Sequence, residues 1–396
     1  MRIVDVCAFY TPTGGGVRTY IDRKLAAGPA MGHDITVIAP GAATGVEPRG
    51  PAARIVWLEN PIFPFDRNYR YFADEAVLHA AITAAAPDIL EASSPWRSAS
   101  MVARWQTDSA VPRSLFMHSD PLAAFAYRWF EGLASPAVVD KGFDWYWKHL
   151  LRLDAEFGMI VSACASLTDR LAAGGLRHVV TNPMGIDPDV FAPSLRDEAL
   201  RADLLRRCGL GPDATLLLGV GRHAPEKRWR MIVEAVMSAA YHRPIGLVIV
   251  GSGRDSGKIR RTMGGNPHIH LAKRTSDRAE MARFMASADA LVHGSESETF
   301  CLVAAEARAS GLPLITPDRG AAADHARASN GIVFASGDPV SAAAAIGRFV
   351  DARAAGTVTP APAVAVRTMD DHFADLFAAF ATMVAAAKSE PERQAA

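Results

Sequence analysis

Two carboxylates, Glu298 and Glu306, stand eight residues apart in Glu298-Thr299-Phe300-Cys301-Leu302-Val303-Ala304-Ala305-Glu306-Ala307, after the apolar run Ala288-Asp289-Ala290-Leu291-Val292-His293 and before Ser310-Gly311-Leu312-Pro313. An apolar strand, a polar turn and a helix start make an anion site. The first N–H groups of the helix lack internal partners, and the positive end of its dipole points the same way. A carboxylate just before the helix and another two turns into it would repel phosphate, but both accept hydrogen bonds from hydroxyls. The combination implies a ligand with a phosphate at the helix tip and sugar hydroxyls on either side, which describes a nucleotide sugar.

A second group of residues points to the same chemistry. Leu217-Leu218-Gly219-Val220-Gly221-Arg222-His223-Ala224-Pro225-Glu226-Lys227 reads as a strand that ends in glycine, with one cation at once and another five residues later as a helix begins. Arg222 can grip two phosphate oxygens through its planar fork, and Lys227 acts as a mobile point charge. Arg228 and Arg230 read as surface residues. Near the N-terminus, Thr11-Pro12-Thr13-Gly14-Gly15-Gly16-Val17-Arg18 places three glycines before a helix, which permits positive φ and a close backbone approach to a charged group. Phe116-Met117-His118-Ser119-Asp120-Pro121 puts a histidine at the C-terminal end of a strand, where open α/β sheets place ligand groups.

These motifs resemble those of GT-B retaining glycosyltransferases of family 4, the glycosyl transferases group 1. The Glu-Thr-Phe-Cys wording, with Cys301 where many members carry glycine, is closest to the mannosyl- and glycolipid-forming branch. The resemblance implies a GT-B fold, two Rossmann-like domains facing a central cleft. It implies that His118, Arg222, Lys227 and Glu298 serve the transfer, with His118 reaching the transferred sugar and Glu298 lying beside it. It further implies donor contacts from Gly15, Gly16, Gly251, Arg274, Glu306 and the N–H groups of Phe300, Cys301 and Leu302, with Glu306 on the ribose and Arg274 near the base. Asp120 is a lesser candidate for the acceptor. No Asp-x-Asp clamp of the sort used by metal-dependent glycosyltransferases is read in the chain, so no divalent ion and no cofactor are expected beyond the nucleotide-sugar donor itself. GDP-mannose is the first donor expected, then a UDP-hexose or UDP-glucuronic acid. The acceptor is expected to be a glycolipid or saccharide. A sugar phosphorylase or a non-catalytic nucleotide-sugar-binding protein on the same fold are the alternatives.

The elements needed to position these residues are legible as alternating apolar runs and helical patterns, the rhythm of a doubly wound sheet. Strands are expected at Arg2–Phe9, Asp34–Ile38, Ile55–Leu58, Ile89–Glu91, Ser114–Met117, Ile160–Ser162 and Val179–Thr181. A second series is expected at Leu216–Val220, Leu247–Val250, Ile269–Leu271, Ala290–His293 and Leu314–Thr316. This divides the chain into an acceptor-binding domain over 1–190, a nucleotide-sugar-binding domain over 191–365 and a helical tail over 366–396. In the tail, Phe373, Leu376, Phe377, Phe380 and Met383 recur at helical spacing, with fraying expected from Lys388. The family resemblance implies that this helix returns to the N-terminal domain.

Composition bounds the remainder. A chain of 396 residues exceeds one ordinary core, and 49% apolar with 21% charged residues is that of a globular protein. Zero formal net charge argues against a nucleic-acid partner. Cys7, Cys164, Cys208 and Cys301 have no metal spacing and read as free thiols in a reducing cytoplasm. Neither export nor a membrane-spanning segment is expected. The region Phe125–Phe157 interleaves Tyr127, Trp129, Phe130, Phe143, Trp145, Tyr146 and Trp147 with Arg128, Lys141, Lys148 and Arg152. Such a stripe is either a helical core face or a peripheral contact with the inner face of the cytoplasmic membrane. The oligomeric state is not legible.

Overall fold

The computed structural model describes the chain except residues 12–14, 65–66, 108–109, 188, 276, 359–366 and 395–396, and the side chains from 390 onward. Gly14 of the glycine turn, and much of the Ala/Pro-rich connection before the last helix, therefore lie outside the described residues. The chain divides into two compact units.

The first unit comprises Met1–Ser119, Asp140–Met184 and Met369–Ala396. Its described residues form strands β1 (Arg2–Cys7), β2 (Asp34–Gly41), β3 (Gly45–Gly50), β4 (Ala53–Glu59), β5 (Ile89–Ser93), β6 (Arg113–Phe116), β7 (Met159–Ser162) and β8 (Val179–Thr181). They make one sheet in the order β3-β4-β2-β1-β5-β6-β7-β8, parallel except that β3 runs antiparallel to β4. A parallel sheet covered on both faces needs apolar residues at successive positions, which is why Ile3, Val4 and Val6 of β1 and Ile35, Val37 and Ile38 of β2 are all buried. The helix Gly16–Ala30 packs Tyr20, Ile21 and Leu25 inward. The last helix runs Met369–Gln394 and buries Phe373, Leu376, Phe377 and Phe380. It continues past Lys388.

The second unit comprises Asp120–Val139 and Gly185–Thr368. Its strands are β9 (Thr215–Val220), β10 (Ile245–Val250), β11 (Ile269–Ala272), β12 (Ala290–Val292), β13 (Leu314–Pro317) and β14 (Ile332–Phe334). The order β11-β10-β9-β12-β13-β14 is all parallel. The strand sequence reverses between β9 and β12, so their C-terminal ends diverge and open the crevice in which such sheets bind ligands. The helices Trp229–Ala239 and Pro339–Ala354 close one face, with Trp229, Ile232, Val236, Ile346 and Phe349 in one cluster with β9 and β10. At the edge of the crevice, Gly294 lets the chain after β12 lie against the turn before Trp229: a Cβ there would come 2.8 Å from the Lys227 carbonyl oxygen. That approach brings the two principal motifs together.

Candidate active site

The cluster forms at the ends of β9 and β12. After β9, Arg222 leads into a short 3-10 turn, Pro225–Lys227, and the helix Trp229–Ala239. After β12, residues 293–301 form a loop that delivers Glu298 to Lys227, whose ammonium donates to the Glu298 carboxylate. Both side chains are largely enclosed, 14% and 24% exposed. Burial opposes charge on Lys227, but Glu298 and its neighbours more than offset it and hold the ammonium above the ordinary lysine range. Burial likewise works to raise Glu298, yet Lys227 and His293 pull it down to about 2. The pair is therefore ionised at neutral pH. Arg222, its side chain 75% exposed, pairs with Glu226 at 3.0 Å and lies close enough to Glu298 to lower its pKa.

The helix Leu302–Ala309 begins beside this pair. Its cap residue, Cys301, has φ of +64°, a left-handed conformation that glycine adopts without a Cβ penalty. The departure from glycine noted in the sequence thus falls where the backbone favours glycine. Burial pushes the Cys301 thiol well above its ordinary value, so it is held protonated, and its Sγ lies 3.7 Å from His293 Nε2. The Phe300 carbonyl accepts from the His325 ring at 2.8 Å, which fixes the turn into the helix. The N–H groups that open this helix have no intrahelical acceptor. One face further along, Glu306 lies 3.8 Å from Arg278. Burial pushes the Glu306 carboxyl up to about 7, with Arg278 opposing and Asp187 adding to the rise.

The structure brings Arg222, Lys227, Glu298, Phe300, Cys301, Leu302 and Glu306 into one neighbourhood of the second unit. Gly251 adjoins it for a packing reason, since a Cβ there would sit 2.0 Å from the Gly221 carbonyl oxygen. Arg274 is exposed on the loop after β11. Gly15, Gly16 and His118 belong to the first unit. Gly15 caps the helix Gly16–Ala30 with φ of −94°, not the positive φ anticipated for the turn. A Cβ at Gly15 or Gly16 would meet nothing within 4 Å. His118 stacks on Phe116, ring centroids 4.3 Å apart, and stands edge-on to Tyr20. Burial, aided by Lys24 and His372, pushes it down to about 3, so the ring is neutral. Asp120 caps its own turn, accepting from Leu122 N and Ala123 N at 3.1 and 3.3 Å.

Two sequence readings require correction. Arg228 is not a surface residue: its side chain is 9% exposed and donates to both Glu296 and Glu131. An Asp-x-Asp triplet does occur, at Asp187-Pro188-Asp189. Its Asp187 carboxylate faces Arg278 at 3.3 Å, and among the described residues no three His, Cys, Asp or Glu side chains are placed to hold a metal. Asp187 and Arg278 were missed because they come from a loop and a helix start far apart in sequence, with no shared motif. His293 was visible at the end of β12 but carried no role.

Comparison with known proteins agrees with this geometry. The family described as glycosyl transferases group 1 matches residues 214–352, and that described as a glycosyl transferase 4-like domain matches residues 15–185. A GDP-mannose-dependent alpha-mannosyltransferase of Mycolicibacterium smegmatis is 30% identical over 328 residues, 82% of this chain and 81% of that protein. A GDP-mannose-dependent alpha-(1-6)-phosphatidylinositol dimannoside mannosyltransferase of Mycobacterium tuberculosis is 29% identical over 338 residues, covering 82% and 84%. Among solved structures, sucrose-phosphate synthase from Thermosynechococcus elongatus superposes with a TM-score of 0.69 at 17% identity, over 100% of this chain and 99% of that one. The Anabaena protein Alr3699/HepE in complex with UDP gives 0.65 at 13%, over 100% and 99%. With both halves matched and the strand order of each unit in place, the chain belongs to the glycosyl transferases group 1, and is a glycosyltransferase of the GT-B fold.

Proposed function

We propose that the protein transfers mannose from GDP-mannose, with retention of anomeric configuration and without a metal ion, to a lipid-linked acceptor. The observation that carries this reading is the Lys227–Glu298 pair at the switch point, with Arg222 beside it and the start of the helix Leu302–Ala309 next to it. As the donor's glycosidic bond breaks, negative charge grows on the β-phosphate. A permanently charged Lys227, the fork of Arg222 and the opening N–H groups of the helix are preorganised to stabilise that charge, which is the work a metal does elsewhere. Arg222 is exposed enough to move from Glu226 onto phosphate. Glu298 is anionic and faces the reacting sugar, where it steadies an oxocarbenium-like centre attacked from the leaving-group face. His118, neutral, donates or accepts a hydrogen bond at a sugar hydroxyl without adding charge. The donor base is assigned from the relatives' names at about 30% identity. The division of labour follows: residues 1–190 take the acceptor and residues 191–365 the donor.

Incubating the protein with GDP-mannose, UDP-glucose and UDP-glucuronic acid in EDTA, with nucleoside diphosphate release as readout, tests this reading. GDP release that survives EDTA and falls by about 10²–10³ in Lys227→Met is expected, the loss typical of one charge-stabilising donor. Release only with added metal refutes metal independence. Binding of GDP with no release from any donor favours a non-catalytic sensor.

A further inference from the structure

Arg228 is one of the non-glycine residues of the second unit held at positive φ. Its φ of +51° is left-handed, a conformation arginine avoids because its Cβ crowds the backbone. Residues held this way persist only where their surroundings over-determine them, and they cluster at working sites. Here the guanidinium is fully engaged. Nε donates to Glu296 Oε2 at 2.8 Å, one terminal nitrogen donates to the other Glu296 oxygen, and the second donates to Glu131 Oε2 at 2.8 Å. Glu296 is itself buried, its side chain 6% exposed.

The two ends of this bridge are informative. Glu296 lies two residues before Glu298 in one loop, and Arg228 directly follows Lys227 in one turn. Two ion pairs, Lys227–Glu298 and Arg228–Glu296, therefore join the same two backbone stretches. Glu131 comes from elsewhere. It sits in the segment Asp120–Val139, which interrupts the first unit in sequence but packs with the second. That segment opens with Asp120 capping a π-helical turn, Leu122–Ala126, a form of helix common at functional sites. Its far side presents Phe125 and Trp129, rings 5.8 Å apart and 48% and 63% exposed. Glu131 is also wedged against Gly337, where a Cβ would come 1.8 Å from its carboxylate.

We propose that Arg228 is a positioning residue that couples the donor loop to segment 120–139, so that a nucleoside diphosphate held at Lys227 orders the segment bearing Phe125 and Trp129. The inference rests on the donor site proposed above. When phosphate draws Lys227 toward itself, the Arg228–Glu296 pair keeps the loop in register, and Glu131 passes that register to the segment. Free energies of coupling of this kind change affinities or openings by about 5- to 150-fold.

Hydrogen exchange on the full chain, with and without saturating GDP, reads the coupling directly. In wild type, GDP is expected to slow exchange across 122–134 by about tenfold. Glu131→Ala leaves the buried Arg228–Glu296 pair intact; it should bind GDP with a Kd near that of wild type yet lose protection of 122–134. Arg228→Gly suits the positive φ but strips Glu296 of its partner, and should lose the same protection. The double variant should lose no more than either single one. Wild-type binding of GDP without protection of 122–134, or protection retained in Arg228→Gly, overturns the coupling alone. No binding of GDP or UDP by wild type overturns the donor site and the coupling with it.

Discussion

Burial holds the Glu306 carboxyl up to about 7, so between roughly pH 6 and pH 8 the group passes from neutral to anionic. An anionic carboxylate accepts hydrogen bonds from two neighbouring ribose hydroxyls, whereas a protonated one must give up an acceptor position. Binding a nucleoside diphosphate should therefore release a proton below that pKa, and affinity should rise with pH, by up to about tenfold per unit. Titration calorimetry of GDP binding to wild type and Glu306→Gln isolates the effect, because ionisation of the diphosphate is common to both and cancels in the ratio. A ratio of the two dissociation constants that does not change with pH removes Glu306 from the ribose. Residues such as Glu298, Glu306, Arg222 and Lys227 were legible in the sequence because each lies in the loop after a strand end or in the helix that follows it. Arg228, Glu296 and Arg278 were not, because their charge partners are supplied by distant segments. The lysine and two arginines of Lys227-Arg228-Trp229-Arg230-Met231 look the same in sequence whether solvated or buried. Only the left-handed turn at Arg228 separates it from exposed Arg230.

Most strands declared themselves through continuous apolar runs, as parallel sheets covered on both faces require. The exceptions follow from physics. β3, Gly45–Gly50, contains a single large apolar residue, Val46, and is an exposed antiparallel edge. β14, Ile332–Phe334, is three residues long and ends the second sheet. Periodicity also gave no sign of the charges inside the first unit. Asp5 of β1 lies directly opposite Glu91 of β5, and Lys24, reaching down from the helix Gly16–Ala30, donates to both. All three side chains are fully buried. Lys24 thereby anchors the helix that carries Gly15 and Gly16 at its start. Removing one partner of such a group costs about 3–5 kcal/mol, so Lys24→Met should lose about that much in urea denaturation near neutral pH. The sign with pH is fixed by Glu91, which burial already raises to about 7 against the pull of Lys24. A carboxyl whose pKa is higher folded than unfolded favours folding when protonated. Its contribution is complete below its ordinary value of 4.5 and is lost as pH rises through the folded value. Without Lys24 the folded value climbs further, so the deficit of the variant should be level well below pH 7 and grow as pH rises above 7. A deficit independent of pH, or smaller than about 1 kcal/mol, would show that the triad is not the anchor.

Across the molecule, formal charges cancel and among the described residues no helix is long and apolar enough to cross a membrane. The aromatic stretch that the sequence left open as core or interface is core on one side and exposed on the other. In the helix Asp144–Glu156, Tyr146, Leu150 and Leu153 point into the first unit, while Trp145 and Leu151 remain 63% and 40% exposed. Lys148 and Arg152 lie on the same outer side, with Lys148 paired to Asp144 across one turn. An indole and a leucine flanked by cations suit the headgroup level of a bilayer, where apolar burial and attraction to anionic lipid add together. The protein should therefore sediment with vesicles of anionic phospholipid and much less with neutral ones, and salt should weaken the association as it screens the cations. Trp145→Ala combined with Leu151→Ala should release it while leaving GDP binding unchanged, because neither residue belongs to the donor site. Retention in the supernatant with anionic vesicles would remove the membrane face, and the glycosyltransferase assignment would stand, since that rests on the family matches over both halves of the chain and the strand order of each unit.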